Sequence, residues 1–372
     1  MEKIKFAIIG CGYISTNHIK AIVENHKEAE LVSVCDIIPG KAELKANEYI
    51  KIARDSNIIA KKPLVYLDYK KMLAEENIDT CAICTISGYR TSIAIDCMNS
   101  KKNILVEKPM AMSLEDADNM IRSTEMNNVK LAVSHQNRFK AIMKLIKKAL
   151  SEKRFGKIIS ISTRILWNRN REYYQQAKWK GTWKLDGGCF MNQCSHHIDL
   201  LQWFMNSEIY SIYGQTDNFV HPYIETEDHG NIIIRYKNKA IGNVEGTVCI
   251  YPKNLDESLT LIGEKGTVAL GGLGLKKILA WDFVDGNESI EEIQKNCDSE
   301  DEKYSGKGHA PLYNDFITSI KNNTNPLIDG REGKKSLEII LMAYQSQKEN
   351  NPIIYQKDLK ISTTDFIGML DG

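Results

Sequence analysis

The sequence predicts an α/β protein in two parts: a parallel sheet interleaved with helices, then a second α/β domain on a large, mostly antiparallel open sheet. Three observations carry this. An apolar strand at Ile4–Ile9 runs straight into Gly10-Cys11-Gly12 and a helical pattern. Apolar runs of strand length then alternate with helical stretches as far as Ser134. From Lys157 onward, strand-like segments are joined by hairpin-like turns such as Lys237-Asn238-Lys239 and Gly263-Glu264-Lys265-Gly266. The division is expected at residue 128, giving 1–128 and 129–372.

Strand, glycine turn and helix together form the context of a dinucleotide fingerprint, the Rossmann type of fold. Gly10 allows the tight turn, and Gly12 lets the backbone approach a pyrophosphate seated on the positive end of the next helix. Tyr13 and Ile14 follow as expected cofactor contacts; the third small position is Ser15 rather than Gly or Ala. The second strand, Leu31–Cys35, ends in Asp36, whose carboxylate can accept both hydrogen bonds of an adenosine ribose diol. That favours NAD, because a 2′-phosphate would be repelled by Asp36 and would want an arginine where Ile37 and Ile38 stand.

Further strands are expected at Thr80–Thr85, Asn103–Val106 and Val129–Ser134. Parallel sheets bind ligands beyond the carboxyl ends of their strands, which selects Thr85–Arg90, Glu107-Lys108-Pro109 and His135–Arg138. Thr85, Ser87, Glu107, Lys108 and Gln136 are therefore expected to line the cofactor. Lys108, with its backbone restricted by Pro109, is the leading candidate for chemistry.

In the second part, a helix after Gly187-Gly188 would place Asn192, His196 and Asp199 at i, i+4 and i+7, with Phe190, Cys194, Ile198 and Leu201 on its apolar side. Strands are expected at Lys157–Trp167, Ile209–Thr216, Gly230–Tyr236, Ala240–Ile250, Ser258–Ile262 and Thr267–Leu270. Asp285–Gly308, acidic and poor in apolar residues, reads as a long loop, and helices at Pro311–Lys321 and Arg331–Lys348 close the chain.

The glycine turn at residues 10–15, Glu107-Lys108-Pro109, and Gly187-Gly188 followed by Asn192 and His196 resemble the Gfo/Idh/MocA oxidoreductase family over essentially the whole chain. The resemblance implies that Lys108 and His196 flank the nicotinamide and the sugar carbon that loses hydride. Two departures stand out: Asn192 where most sugar and inositol dehydrogenases of the family carry Asp, and Arg90 where many members carry His. Asn192 together with Trp179–Trp183, His135–Phe139, Tyr251–Asn254, Gly308-His309 and Asp329–Gly333 looks like the branch that oxidises UDP-N-acetylglucosaminuronate at C3 to a 3-keto sugar for surface-polysaccharide biosynthesis.

The implied mechanism removes a hydroxyl proton as hydride leaves the same carbon, with His196 as general base, Lys108 steadying the alkoxide and Asn192 orienting the hydroxyl. The reverse assignment, Lys108 as base, is equally compatible with the sequence. A substrate bearing a carboxylate and a diphosphate calls for cations and stacking groups, for which Arg138, Arg169, Tyr173, Lys253, His309 and Arg331 are the candidates. The resemblance further implies a homodimer or homotetramer formed through the open sheet face, and 2-oxoglutarate as a possible electron acceptor. A dehydrogenase of a free sugar or inositol, and a non-catalytic NAD-sensing regulator, are the alternatives.

A net charge of +1 over 372 residues leaves no basic footprint for nucleic acid. No apolar run reaches membrane-spanning length, and a strand beginning at Ile4 leaves no room for a signal peptide, so a cytoplasmic protein is expected. The nine cysteines are expected as reduced thiols. No metal is expected: Cys81 and Cys84 fall in a buried strand, and a zinc site within the cluster of Cys189, Cys194, His196 and His197 would need a fourth ligand and would compete for the histidine assigned to chemistry.

Overall fold

Apolar runs with no polar alternation need cover on both faces, and a parallel sheet with helices on either side provides it. The computed structural model describes residues 2–304 and 308–370. β1 (Ile4–Ile9), β2 (Ala29–Cys35), β3 (Leu64–Tyr66), β4 (Thr80–Ile83), β5 (Asn103–Glu107) and β6 (Leu131–Ser134) pair in parallel in the order β3-β2-β1-β4-β5-β6. The crossovers carry α1 (Ser15–Glu24), α2 (Lys41–Asp55), α3 (Tyr69–Glu75), α4 (Arg90–Asn99) and α5 (Leu114–Asn127). Strand order reverses between β1 and β4, the point at which such sheets open a ligand crevice.

The second sheet follows the chain through α6 (Ala141–Ser151), β7 (Ile158–Leu166), α7 (Arg171–Gln175), α8 (Ser195–Met205), β8 (Ile209–Asp217), β9 (His229–Tyr236), β10 (Ile241–Thr247), β11 (Asp256–Gly263), β12 (Gly266–Gly271) and β13 (Lys277–Phe283). Beyond α9 (Ile290–Asp301), α10 (His309–Asn322) and α11 (Gly330–Glu349), β14 (Ile353–Ile354) completes the order β13-β12-β11-β7-β10-β9-β8-β14. Every pairing in it is antiparallel except β10 with β7. Alternate residues of β9 are buried and accessible along its length, so one face is core and the other open. α8 packs on β7, and α11 lies over β8, where Gly214 N donates to Ser346 Oγ. Ile159, Tyr210, Ile233 and Leu279 are among the exposed apolar side chains of the sheet strands.

The chain divides into two compact units, and the division differs from the one expected at residue 128. β6 hydrogen-bonds to β5, and the first unit takes in Asp116–Lys140 and also Asp301–Lys334. The return of α10 has a physical cause: α1 carries Ile19, Ile22 and Val23, all buried, and α10 packs against that helix. Asn25 Nδ2 donates to Ala310 O and Lys321 Nζ pairs with Glu28 at that junction. The stretch Asp285–Gly308 expected as a loop contains α9, whose only buried residue is Cys297; so thin an apolar stripe gives little periodicity to read. Residues 305–307 of that stretch lie outside the described residues. Among the described residues, no helix is long and apolar enough to cross a membrane.

One packing detail fixes the start of the segment that carries Asn192 and His196. Gly230 of β9 and Gly246 of β10 are paired in register, and a Cβ on either would stand 2.8 Å from the Phe190 ring. The two glycines leave a slot in the sheet surface that the buried Phe190 side chain fills. Gly246→Ala is expected to cost about 1–3 kcal/mol by displacing that ring. Urea unfolding measures it; a loss below about 0.5 kcal/mol would show that the slot accommodates a methyl group.

Candidate active site

In the first unit, the turn after β1 passes so close to the end of β4 that a Cβ on Gly10 would lie 2.7 Å from the Cys84 carbonyl carbon and the Thr85 nitrogen. Gly10 also has φ +93°, which only glycine adopts without strain. A Cβ on Gly12, by contrast, would meet nothing within 4 Å, so that part of the turn borders open space. Asp36 ties the two strand ends together: Oδ2 accepts from Cys11 N at 2.8 Å and Oδ1 from Ile38 N at 2.8 Å. Each oxygen retains lone-pair capacity for a ribose diol. Tyr13 and Ile37 are 90% and 82% exposed beside this turn, and Ile14 is half-buried. Thr85 Oγ1 and Gln136 Oε1 are buried polar atoms with no hydrogen-bond partner, and Ser87, two residues after Thr85, is buried as well. A glycine cradle, a strand-end carboxylate and unsatisfied polar atoms beyond strand ends suit a dinucleotide.

Lys108 follows β5 and joins Pro109 through a cis peptide bond. Its backbone N donates to Glu107 Oε2 at 3.2 Å, while Glu107 Oε1 lies 2.9 Å from His18 Nε2 and 3.7 Å from His309 Nε2. Burial alone would raise the Glu107 carboxyl, but the hydrogen bond with His18 and the neighbouring His309 ring outweigh it and hold the group well below its ordinary value. Burial lowers His18, so its neutral ring donates from Nε2 to Glu107 and accepts at Nδ1 from the Tyr313 hydroxyl 2.9 Å away. Glu107 and His309, expected on cofactor and substrate, thus turn inward as supports of the strand end.

Two of the expected substrate cations are engaged within the first unit. Arg138 is fully buried and Nη1 pairs with Glu332 Oε2 at 2.9 Å. Arg331 pairs with Glu125 and lines a shallow cavity with Asn128 and Lys130, at the amino end of β6, away from the carboxyl ends where ligands bind. In the second unit, Lys253 is exposed on the loop between β10 and β11.

The helix expected after Gly187-Gly188 begins as a π turn, Phe190–Cys194, before α8. A wider turn of this kind shifts the helical phase and occurs often at functional sites. Consequently the expected i, i+4, i+7 stripe is not one face: Asp199 is buried. From Asp186 to Gln202 every residue is buried except Asn192 and His196. Asn192 Nδ2 donates to Asp186 Oδ1 at 2.6 Å, and Asp186 Oδ2 accepts from Gly181 N at 2.7 Å, fixing which way the Asn192 amide lies. His197 Nε2 lies 2.9 Å from Glu257, whose other oxygen accepts from Trp167 Nε1 at 3.0 Å, pinning α8 to the sheet.

Beneath the π turn sits Glu227, fully buried. Its Oε1 accepts from Phe190 N at 2.8 Å and lies 2.7 Å from the Tyr344 hydroxyl, itself 2.8 Å from Gly187 O. Gly188 has φ +85°, and a Cβ there would fall 1.9 Å from Glu227 Oε2. Burial pushes the Glu227 carboxyl up to about 8.

The segment before the helix gathers a cation–aromatic cluster. The Arg169 guanidinium lies 4.6 Å from the Trp167 ring centroid and 5.0 Å from that of Tyr173. The Lys180 ammonium lies 3.7 Å over the other cation-bearing ring, Tyr173, and burial lowers it from its ordinary value. Gln193 Nε2 donates to Tyr173 Oη at 3.4 Å, next in sequence to Asn192. The structure thus brings Arg169 and Tyr173 together and adds Lys180, Gln193 and Asp186, which sequence reasoning did not single out. The one signal for Lys180 was its place in Trp179-Lys180-Gly181-Thr182-Trp183.

Two family models match the chain: "Oxidoreductase family, NAD-binding Rossmann fold" over residues 4–135 and "GFO/IDH/MocA C-terminal domain" over residues 143–269. The chain is similar to the WlbA dehydrogenase of Bordetella pertussis, solved with NADH and UDP-GlcNAcA, at 34% identity over 96% of this chain and 100% of that one, TM-score 0.82. It is similar at 34% identity, over 96% and 98%, TM-score 0.85, to the WlbA enzyme of Chromobacterium violaceum, solved with the same two ligands. A myo-inositol 2-dehydrogenase of Thermotoga maritima is 22% identical over 94% of this chain and 98% of that protein. The chain belongs to the Gfo/Idh/MocA oxidoreductase family.

As a member of that family the protein is an NAD-dependent dehydrogenase acting on a CH–OH group, with NAD supplying the hydride acceptor. The buried Glu227 carboxyl makes its stability depend on pH. An unfolded chain releases that proton near pH 4.5 and the folded oxidoreductase holds it to about 8, so stability is full below 4.5 and is lost as pH rises through 8. The melting midpoint is expected to fall on the order of 5 °C between about pH 5 and 8.5 through this group. Glu227→Gln should flatten that dependence, and an unchanged slope in the variant would assign it elsewhere.

Proposed function

We propose that the protein oxidises C3 of UDP-N-acetylglucosaminuronate to the 3-keto sugar, with NAD, in the biosynthesis of surface-polysaccharide sugars. The observation that carries this is the 34% identity, over nearly the whole chain, to two WlbA dehydrogenases solved with NADH and UDP-GlcNAcA. NAD-dependent oxidation of a sugar hydroxyl follows from the same likeness at the coarser level. The Arg169–Tyr173–Lys180 cluster supports an anionic sugar: two cations and a flat ring lie one residue along from Asn192 through Gln193.

In this reading His196 takes the hydroxyl proton as C3 gives up hydride, Lys108 steadies the developing alkoxide, and Asn192 orients the hydroxyl. The opposite assignment makes Lys108 the base and His196 the hydrogen-bond partner. Gly10, Gly12, Asp36, Thr85 and Gln136 hold the dinucleotide; Arg169 and Tyr173 meet the substrate's charges. The exposed apolar residues Ile159, Tyr210, Ile233 and Leu279 form a homodimer or homotetramer contact. 2-Oxoglutarate serves as electron acceptor, and the enzyme works in the cytoplasm.

Asn192 has a local reason to replace the Asp of other family members. Its amide donates to Asp186 at 2.6 Å, and an aspartate there would set two carboxylates against each other, forcing one to hold a proton. Asn192→Asp is therefore expected to cut turnover and to give kcat a new dependence on pH; unchanged rates across the pH range would remove Asn192 from the site.

The function is tested by absorbance at the reduced-nicotinamide band with purified protein, NAD and UDP-N-acetylglucosaminuronate, with and without 2-oxoglutarate. Turnover is expected, and His196→Ala should lower kcat by about 10²–10⁴ while changing KM little. Turnover of myo-inositol instead would replace the nucleotide sugar by a free polyol. Tight NAD binding with no turnover of either would identify a sensor.

A further inference from the structure

Arg90, the first residue of α4, is 7% exposed, deep for a guanidinium. Its Nε donates to the Thr85 carbonyl at 3.0 Å and its Nη1 to the Pro109 carbonyl at 2.9 Å. Thr85 lies just beyond β4, and Pro109 follows Lys108 beyond β5. One planar fork therefore spans two adjacent strand ends, and the second of them carries Lys108. On the other side of that lysine, Glu107 is held by His18, which is held in turn by Tyr313. Both sequence neighbours of Lys108 are thus anchored by buried polar groups, one through a carboxylate and one through a carbonyl.

The chemistry explains why arginine suits this place. The fork reaches both carbonyls from one rigid plane, which neither a lysine point charge nor a single imidazole N–H can do. A buried cation also needs a nearby anion, and Arg90 acts electrostatically on His18, the partner of the ionised Glu107.

We propose that Arg90 is a positioning residue for the dehydrogenase reaction: it clamps the carboxyl ends of β4 and β5 and so fixes the backbone of Lys108. The proposal rests on Lys108 being catalytic. Its geometric content is separable, because the clamp can be read without turnover.

The test compares the full-length protein with Arg90→Lys, which keeps the charge without the fork, and Arg90→Ala. Hydrogen–deuterium exchange is expected to rise together in peptides covering residues 84–89 and 107–112 in both variants, while β1 and β2 stay protected. With NAD and UDP-N-acetylglucosaminuronate, kcat should fall on the order of 10- to 100-fold with KM for NAD nearly unchanged. Added ethylguanidine should restore part of the rate to Arg90→Ala and none to Arg90→Lys. Exchange confined to α4, or a folded Arg90→Lys with unaltered kcat, would overturn the proposal. If Arg90→Ala does not fold, Arg90→Lys decides alone. Full activity in Lys108→Met would instead sink the role of Lys108, and exchange at both strand ends would still report the clamp.

Discussion

The second unit of the molecule hangs on one buried carboxyl. Glu227 offers an oxygen to the first free amide of the π turn and to Tyr344, and Tyr344 reaches the carbonyl of Gly187. These contacts set where the chain leaves the glycine pair and in what phase the helix begins. The phase decides that Asn192 and His196 alone, between Asp186 and Gln202, stay accessible. Gly188 leaves no side chain in the space that the carboxyl fills, and Gly230 with Gly246 admits the Phe190 ring below. A helix start needs its orphan amides satisfied; here a neutral acid meets one of them and orients everything downstream.

The cofactor half depends on the opposite electrostatic condition. Glu107 is buried yet ionised, because His18 hydrogen-bonds to it at 2.9 Å and the His309 ring stands 3.7 Å away. Charges in low dielectric interact strongly and tolerate little movement, so a strand end held between them is stiff. Lys108 is mounted on that stiff edge. His196 stands on a helix braced by His197, Glu257 and Trp167. Each of these two residues thus stands next to a support built from buried, hydrogen-bonded polar groups.

Much of this was legible in the sequence where local chemistry dictates structure. Gly10, Gly12 and Asp36 mark a strand–turn–helix and a second strand end, and the structure places each there. The antiparallel second sheet followed from its hairpin turns. What was not legible depends on distant residues. The π turn arises because Phe190 fits between two glycines about 40 and 56 positions downstream, and helical periodicity assumes 3.6 residues per turn throughout. Arg138 and His309 carry the residue types of anion binders, but Glu332 and Glu107 turn them inward, and no local pattern announces an ion pair across 194 positions. Arg331 reads as a cation near a strand without saying at which end. The return of α10 to the first unit is likewise a matter of which helix covers Ile19 and Ile22, a choice that apolar spacing leaves open.

The contrast between Arg138 and Arg169 shows what separates a structural cation from one able to meet a substrate. Glu332 neutralises Arg138 at 2.9 Å in a fully buried place, so its charge is spent within the fold. Arg169 and Lys180 are instead held by the faces of Trp167 and Tyr173 and by neutral acceptors, Asn168 O and Tyr173 O among them. Among the described residues neither forms an ion pair. Aromatic faces and carbonyls hold a cation in place without cancelling its charge, since a quadrupole or a dipole carries no net charge. Partial burial lowers the Lys180 ammonium from its ordinary value, with Arg169 adding to the effect and the Asp186 carboxylate opposing it. Arg169 and Lys180 thus present charges that no ion pair among the described residues cancels, the condition under which a cation can attract an anion.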